Sequence, residues 1–225
     1  LMTPEDEEAM NKEELPEILP ILPLRNTVLF PGVVIPITAG RDKSIKLINE
    51  TNKGNKIIGV VSQIDENIED PELKDINKAG TVAKILRVLK MPDGNTTIIL
   101  QGQKRFEVNE IITSIPYMTA TIKEVPEAKP ATENEEFKAI IDSIKEKSLQ
   151  IIKNSPNIPS EAAFAIKNIE SSSFLINFVS SNLNVTVGDK QKLLEISDLK
   201  DRALETLRFM EIELKKLSLR IDIQS

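Results

Sequence analysis

The 225-residue chain contains no cysteine and no histidine. Disulfides, zinc fingers and thiolate nucleophiles are therefore excluded. So are histidine general bases, Ser-His-Asp triads and His-metal sites. Tryptophan is absent, Tyr117 is the single tyrosine, and aromatic residues make up 4% of the chain. Chemistry is left to carboxylates, lysines, hydroxyls and one phenol, a poor set for an enzyme. No apolar run approaches the roughly 20 residues needed to span a bilayer. The N-terminus is acidic at Glu5, Asp6, Glu7 and Glu8, where a secretory signal would be basic. A cytoplasmic location is the expectation. Positive charge is in deficit, with 29 Lys and Arg against 35 Asp and Glu for a net charge of −6. That balance argues against a broad nucleic-acid footprint and against a polybasic membrane face.

What is present reads as a soluble globular chain, 40% hydrophobic and 28% charged. Its length suits one large domain or two small ones. Residues 1–16 are acidic and poor in large apolar groups, so a disordered lead-in is expected there. The Leu-Met start suggests a fragment of a longer protein. From Ile18 to Pro36, dense aliphatics are punctuated by prolines. Proline removes a ladder donor and confines strands to edges, starts and bulges. Short extended pieces at Ile18–Leu24 and Val33–Thr38, with a bend at Phe30-Pro31-Gly32, are the prediction.

A short helix is predicted over Arg41–Asn52, stopped by Gly54. Lys56–Ser62 is a continuous apolar run of the kind found in buried central strands. Thr81–Leu89 and Thr96–Leu100 flank Met91-Pro92-Asp93-Gly94-Asn95, a hairpin signal because Asp-Gly supplies the turn torsions. Arg105–Ile111 and Tyr117–Val125 alternate at period 2, as half-buried strands do. Pro126–Ala131 reads as a linker, after which the period becomes helical. Thr132-x-x-Glu135 has the form of a capping box opening a helix with Phe137, Ile140, Ile141, Ile144 and Ile151 inward. Helices at Ser160–Ile169 and Ser172–Leu183 and one capped by Thr186-x-x-Asp189 follow, with Ser160, Ser172 and Ser197 as caps.

From Leu199 onward, Ala203, Leu207, Met210, Leu214, Leu217 and Ile221 recur at spacings of four and three, a heptad seam. It fits the terminal helix of a bundle, or a longer connecting helix that the chain truncates. The fold class is thus α+β. A β-rich domain of antiparallel or mixed strands with one or two short helices covers 17–126, and an all-α bundle ending in a long helix covers 127–225.

Few constellations carry chemistry. Asp65, Glu66, Glu69, Asp70, Glu72 and Asp75 lack the alternating order that wraps calcium, so they read as a solvated loop. Gly40-Arg41-Asp42-Lys43-Ser44 is not a phosphate loop, because G-x-x-x-x-G-K-[ST] occurs nowhere in the chain. It reads as a charged helix N-terminus. Lys84, Arg87 and Lys90 lie on one hairpin strand and would suit RNA, but no stacking aromatics adjoin them. No catalytic, cofactor or metal residue is expected.

Leu22-Pro23-Leu24-Arg25-Asn26-Thr27-Val28-Leu29-Phe30-Pro31-Gly32 resembles the opening motif of the N-terminal domain of ATP-dependent Lon proteases. The resemblance continues through Gly40–Ile45, Ile58–Gln63, Gly80–Ile85, Met91–Gly94, Gly102–Phe106, Pro116-Tyr117 and Gln191–Asp198, spanning nearly the whole chain in order. It implies a PUA-like β-domain and a non-catalytic recognition role supporting an oligomer. The parent enzyme would be a homo-oligomer, usually of six subunits, whose ATP- and Mg-dependent ATPase and serine–lysine peptidase domains lie further along. Implied partners are unfolded or damaged proteins and neighbouring subunits, with no nucleic acid and no membrane. Within the resemblance, the charged turn at Arg41, Asp42, Lys43 and Lys46 is the candidate substrate-contacting surface. The alternative is a stand-alone PUA-like module binding RNA or a small ligand. An autonomous hydrolase is disfavoured by the missing residues.

Overall fold

The computed structural model describes residues 1–224. The chain divides into two compact units, one spanning Glu8–Pro126 and the other running from Glu127 onward together with Leu1–Glu7.

The first unit is built on strands β1 (Ile18–Leu24), β2 (Val34–Ala39), β3 (Ile57–Ser62), β4 (Ala79–Lys90), β5 (Thr96–Thr113) and β6 (Thr119–Glu124), with helix α2 (Asp42–Asn52) between β2 and β3. The strand order is β2-β5-β4-β3-β1-β6, and a further β5–β6 pairing closes the sheet on itself. All neighbours are antiparallel except β1 and β3, giving a mixed sheet. Closure removes most of the edges that an open sheet would expose.

Side-chain alternation along β1, β3 and β4 feeds two cores on opposite faces. Leu22, Leu24, Ile58, Val60, Ala83 and Ile85 join Leu47 and Ile48 of α2 in one. Leu19, Ile21, Val61, Val82, Phe106 and Val108 form the other.

The prolines of β1 depart from the expected edge position, because β1 lies between β3 and β6. The strand tolerates them by changing partners midway. Ile18–Pro20 pairs with β6, and Ile21–Leu24 pairs with β3. The Ile21 N–H donates to the Met118 carbonyl on the β6 side, and the Leu24 carbonyl accepts from Gln63 N–H on the β3 side. Alternation then turns the nitrogen of Pro20 toward β3 and that of Pro23 toward β6, each beyond the ladder on that side. Neither proline breaks a hydrogen bond. Pro36 does sit on an outer strand, β2.

The two strands expected at Thr96–Leu100 and Arg105–Ile111 are one continuous β5. It pairs with β2 over Thr96–Gln101, with β4 from Thr96 to Glu107, and with β6 from Phe106 to Thr113. Gly102 directly follows the last residue paired with β2, Gln101. The Gly32 N–H donates to the Gly102 carbonyl at 2.8 Å, and the Gly102 N–H donates to the Val33 carbonyl at 2.9 Å. A Cβ on Gly102 would lie 2.2 Å from the Phe30 carbonyl oxygen, so only glycine admits this backbone approach. The Phe-Pro-Gly bend and the Gly-Gln-Lys-Arg-Phe segment are therefore two sides of one contact. Gly94, at φ 89°, turns the β4–β5 hairpin as expected.

In the second unit, helices α3 (Glu135–Lys153), α4 (Glu161–Asn168), α5 (Ser172–Asn182), α6 (Val187–Glu195) and α7 (Leu199–Gln224) form the bundle. Phe137, Ile140, Ile141, Ile144 and Ile151 of α3 are buried, as their spacing predicts. The capping box does not form at Thr132. Asn134 caps α3 instead, its Oδ1 accepting from the Phe137 N–H at 2.8 Å. Ser160 makes no cap bond, Ser171 rather than Ser172 caps α5, and the Asp198 carboxylate, not Ser197, accepts from the Asp201 N–H. Thr186 caps α6 as predicted.

The α7 seam buries Ala203 and Met210, leaves Leu207, Leu214 and Leu217 half-buried, and exposes Ile221. Arg202, Thr206 and Phe209 are buried beside it.

The lead-in expected to be disordered carries helix α1 (Pro4–Lys12). Local capping accounts for it. Thr3 and Asp6 exchange reciprocal side-chain bonds with each other's N–H at 3.1 Å, which hold the Asp6 carboxyl below its usual range. Pro4 occupies the first helical position, acidic residues fill the first turn, and Lys12 pairs with Glu8 one turn back. The helix buries none of its own residues.

Candidate functional site

The charged turn lies at the start of α2, where Gly40 and Arg41 carry the chain from β2 into the helix. Arg41 is spent on structure. Its guanidinium donates to Gln63 Oε1 at 2.9 Å, to the Glu69 carbonyl at 3.0 Å and to the Pro23 carbonyl at 3.0 Å. Gln63, 2% exposed, in turn donates to the carbonyls of Asp65 and Ile68. The pair thus pins the acidic loop to the ends of β1 and β3. Burial, reinforced by Arg25, pulls the Arg41 pKa below its ordinary value, while Asp70 opposes this.

Lys43 reaches the same loop, its Nζ lying 3.0 Å from Asp70 Oδ1. Asp42 is exposed in the first turn of α2, where a negative charge suits the helix dipole.

Arg41, Asp42 and Lys43 line an open groove of about 1240 Å³. The exposed Lys46 is not part of its lining. Buried side chains Leu22, Leu24, Ala39 and Leu47 reach its floor. The rim carries both signs: Arg25, Arg41 and Lys43 against Asp42, Glu69, Asp70 and Glu72.

Tyr117 also lines the groove, and its hydroxyl donates to Glu50 Oε2 at 2.6 Å. That bond, with burial and the Glu50 charge, pushes the phenol up to about 12. The candidates taken from the turn omitted Arg25 and Tyr117. Both stand in segments that carry the family resemblance, Leu22–Gly32 and Pro116-Tyr117, and that was the available signal.

Such a groove offers apolar contact beside polar contact of both signs. Among the described residues, no cluster of acidic side chains could hold a metal ion. No helix among them is long and apolar enough to cross a membrane. The acidic stretch is occupied locally: Asp70 pairs with Lys43, and Glu72 and Asp75 cap a short 3-10 turn. Lys84, Arg87 and Lys90 are exposed on β4, as expected of a solvated strand face.

The family model for the ATP-dependent protease La (LON) substrate-binding domain matches residues 18–211. The chain is 72% identical over 225 residues to a Lon protease of Flavobacterium johnsoniae, covering all of this chain and 28% of that protein. It is 48% identical to a Lon protease of Cytophaga hutchinsonii, again over all of this chain and 28% of the relative. The chain thus spans little more than a quarter of the length of these curated relatives. Among solved structures, the N-terminal domain of the Mycobacterium avium complex Lon protease superposes with a TM-score of 0.70 at 22% identity. That likeness covers 86% of this chain and 98% of the other. A Lon N-terminal domain protein from Xanthomonas campestris gives 0.61 at 18% identity, over 85% and 97%. These two likenesses bear on the fold, which is that of the Lon N-terminal domain.

Proposed function

The chain belongs to the family of ATP-dependent protease La (LON) substrate-binding domains, and from that membership we propose that it is the non-catalytic substrate-recognition region of an ATP-dependent serine endopeptidase. The observation that carries this reading is the family match over residues 18–211, which takes in both the β-unit and most of the bundle. The groove supports it physically. An unfolded segment offers apolar side chains to the half-buried Ile37 and Met118 and the exposed Leu73, and its backbone and polar groups to a rim of both signs. A mixed rim rejects few sequences, which suits a receptor for many damaged proteins. Arg41 and Lys43 hold the rim in shape, while Arg25 and Asp42, both exposed, are free to touch what enters.

In this reading ATP, magnesium and the serine–lysine peptidase centre belong to the remainder of the parent protein, which acts in the cytoplasm as a ring of identical subunits, six in the family's usual form. The test is twofold. The chain should bind a carboxymethylated, permanently unfolded protein, and a parent enzyme lacking residues 1–225 should lose degradation of that protein while retaining ATP hydrolysis. Unchanged degradation together with no binding would overturn the reading.

A further inference from the structure

The closed sheet leaves one interior strand half-open. β3 pairs with β4 over Thr81–Lys84 only, and the last bond on that side runs from the Ile85 N–H to the Lys56 carbonyl. Beyond it, Arg87–Lys90 pairs with β5 alone. The Met91 N–H donates to the Asn95 carbonyl across the hairpin, so strand alternation turns the backbone N–H and C=O of Val88 and Lys90 away from β5, toward the open side. A register shift between Ile85 and Arg87 marks where this segment leaves the β3-paired part of the strand.

The side chains around this edge are unusual for a protein of net charge −6. Leu86 is 45% exposed, Leu89 36% and Met91 44%. Lys84, Arg87 and Lys90 are exposed beside them, and none makes a salt bridge among the described residues. Exposed aliphatics with unpaired cations along an open strand are a template for an extended chain.

Charge selects the occupant. A second copy of this edge would set three cations against three, so self-pairing is opposed. Nucleic acid would want stacking aromatics, and β4 and its hairpin carry none; of the aromatics within Glu8–Pro126, Tyr117 is bonded to Glu50, and Phe30 and Phe106 are wholly buried. An extended polypeptide with carboxylates between apolar residues satisfies the backbone groups, the aliphatics and the cations together.

We propose that the outer edge of β4, from Leu86 to Lys90, captures extended polypeptide segments in which acidic and apolar residues alternate, adding them as a further strand. This deepens the recognition reading and rests on it, naming a preferred class of substrate segment.

The probes are fluorescent seven-residue peptides alternating Glu with Val and Ile, their Lys-for-Glu counterparts, and the carboxymethylated unfolded protein, each titrated onto the 225-residue chain by anisotropy. The acidic peptide is expected to bind, to protect the Val88 and Lys90 amides from hydrogen exchange, and to weaken about tenfold in an Arg87→Glu, Lys90→Glu variant. The lysine peptide should gain in that variant. Both substituted side chains are exposed, and an unchanged circular-dichroism spectrum would confirm that the variant folds. Several results would overturn the edge while leaving the recognition reading standing. These are binding of the acidic peptide that the variant does not weaken, protection elsewhere, self-association through the edge, or stronger binding of single-stranded RNA or anionic vesicles through the same cations. Failure of every peptide and of the unfolded protein to bind would overturn the recognition reading itself.

Discussion

Replacing Arg41 by methionine separates a structural side chain from a substrate-contacting one. The substitution keeps the aliphatic stem and removes the donors that hold Gln63 Oε1, the Glu69 carbonyl and the Pro23 carbonyl at 2.9 to 3.0 Å. Gln63 is 2% exposed, so its oxygen loses a partner that water replaces poorly. Leaving a buried acceptor unsatisfied costs about 1–3 kcal/mol, and bonds to a charged donor lie at the upper end of that range. Arg41 is itself only half-buried, so solvent recovers part of the loss at Glu69. A total of about 2–4 kcal/mol follows, which in a chain of this size lowers the melting temperature by about 5–15 °C. Differential scanning calorimetry reads that shift, and hydrogen exchange over residues 63–70 should accelerate because the loop has lost its clamp. Arg41→Lys should recover less than half, since one ammonium cannot reproduce the planar fork. A melting temperature within 1 °C of the unsubstituted chain, with unfolded-protein binding lost, would refute the structural role and return Arg41 to the substrate-contacting set.

Three further outcomes are expected. Tyr117 is the only tyrosine and no tryptophan is present, so absorbance at 295 nm should report its ionisation alone, with a midpoint near 12 in the folded chain. Because the folded value lies above the ordinary 10, the stability it contributes is complete below pH 10 and is lost as pH rises toward 12; Tyr117→Phe should flatten that loss, and a folded midpoint at 10 would contradict the Glu50 bond. Arg202 is fully buried and donates to Glu127, Asn177 and the Ile196 carbonyl, so Arg202→Met should destabilise the helical unit by about 3–5 kcal/mol in a denaturant melt followed at 222 nm, and a loss under 1 kcal/mol would contradict its role. Gly102→Ala must displace the Phe30 carbonyl from 2.2 Å, so about 3 kcal/mol or more should be lost in urea melts, whereas a change below 1 kcal/mol would show that the bend yields.

Periodicity made most of the elements legible, because burial on one face imposes spacing. The inward residues of α3, the apolar β3 and the Asp-Gly hairpin all follow from local pattern alone. What escaped was set by partners distant in sequence. The partner change in β1 depends on β6 contacting Ile18–Pro20, roughly a hundred residues away, so edge placement was the reasonable but mistaken expectation for its prolines. Continuity of β5 through Gly102 depends on the Phe30 bend crossing it. Helix caps failed by one or two residues, as at Ser171 and Asp198, because Ser, Asn and Asp clusters offer several equivalent caps and only packing chooses. In the lead-in, acidic composition and the Thr3–Asp6 capping pair point in different directions, and helix α1 follows the capping pair.

The candidate site was less legible than the fold for a reason in the chemistry itself. The segments that carry the family resemblance are in several cases the joints of the β-unit. Phe30-Pro31-Gly32 locks against Gly102, and Gly80 passes so close to Val60 that a Cβ would lie 2.1 Å from its carbonyl oxygen. Such positions tolerate one residue type, so they stand out in a sequence. A surface that receives many unfolded segments has no such constraint. It needs an open backbone edge, aliphatic area and a charge balance, and many residue combinations supply those. The β4 edge is made of Leu, Val, Lys and Arg, types found on any solvated strand. Its distinction lies in Lys56 ending the β3 ladder one residue before Leu86, a fact about pairing that no single residue announces.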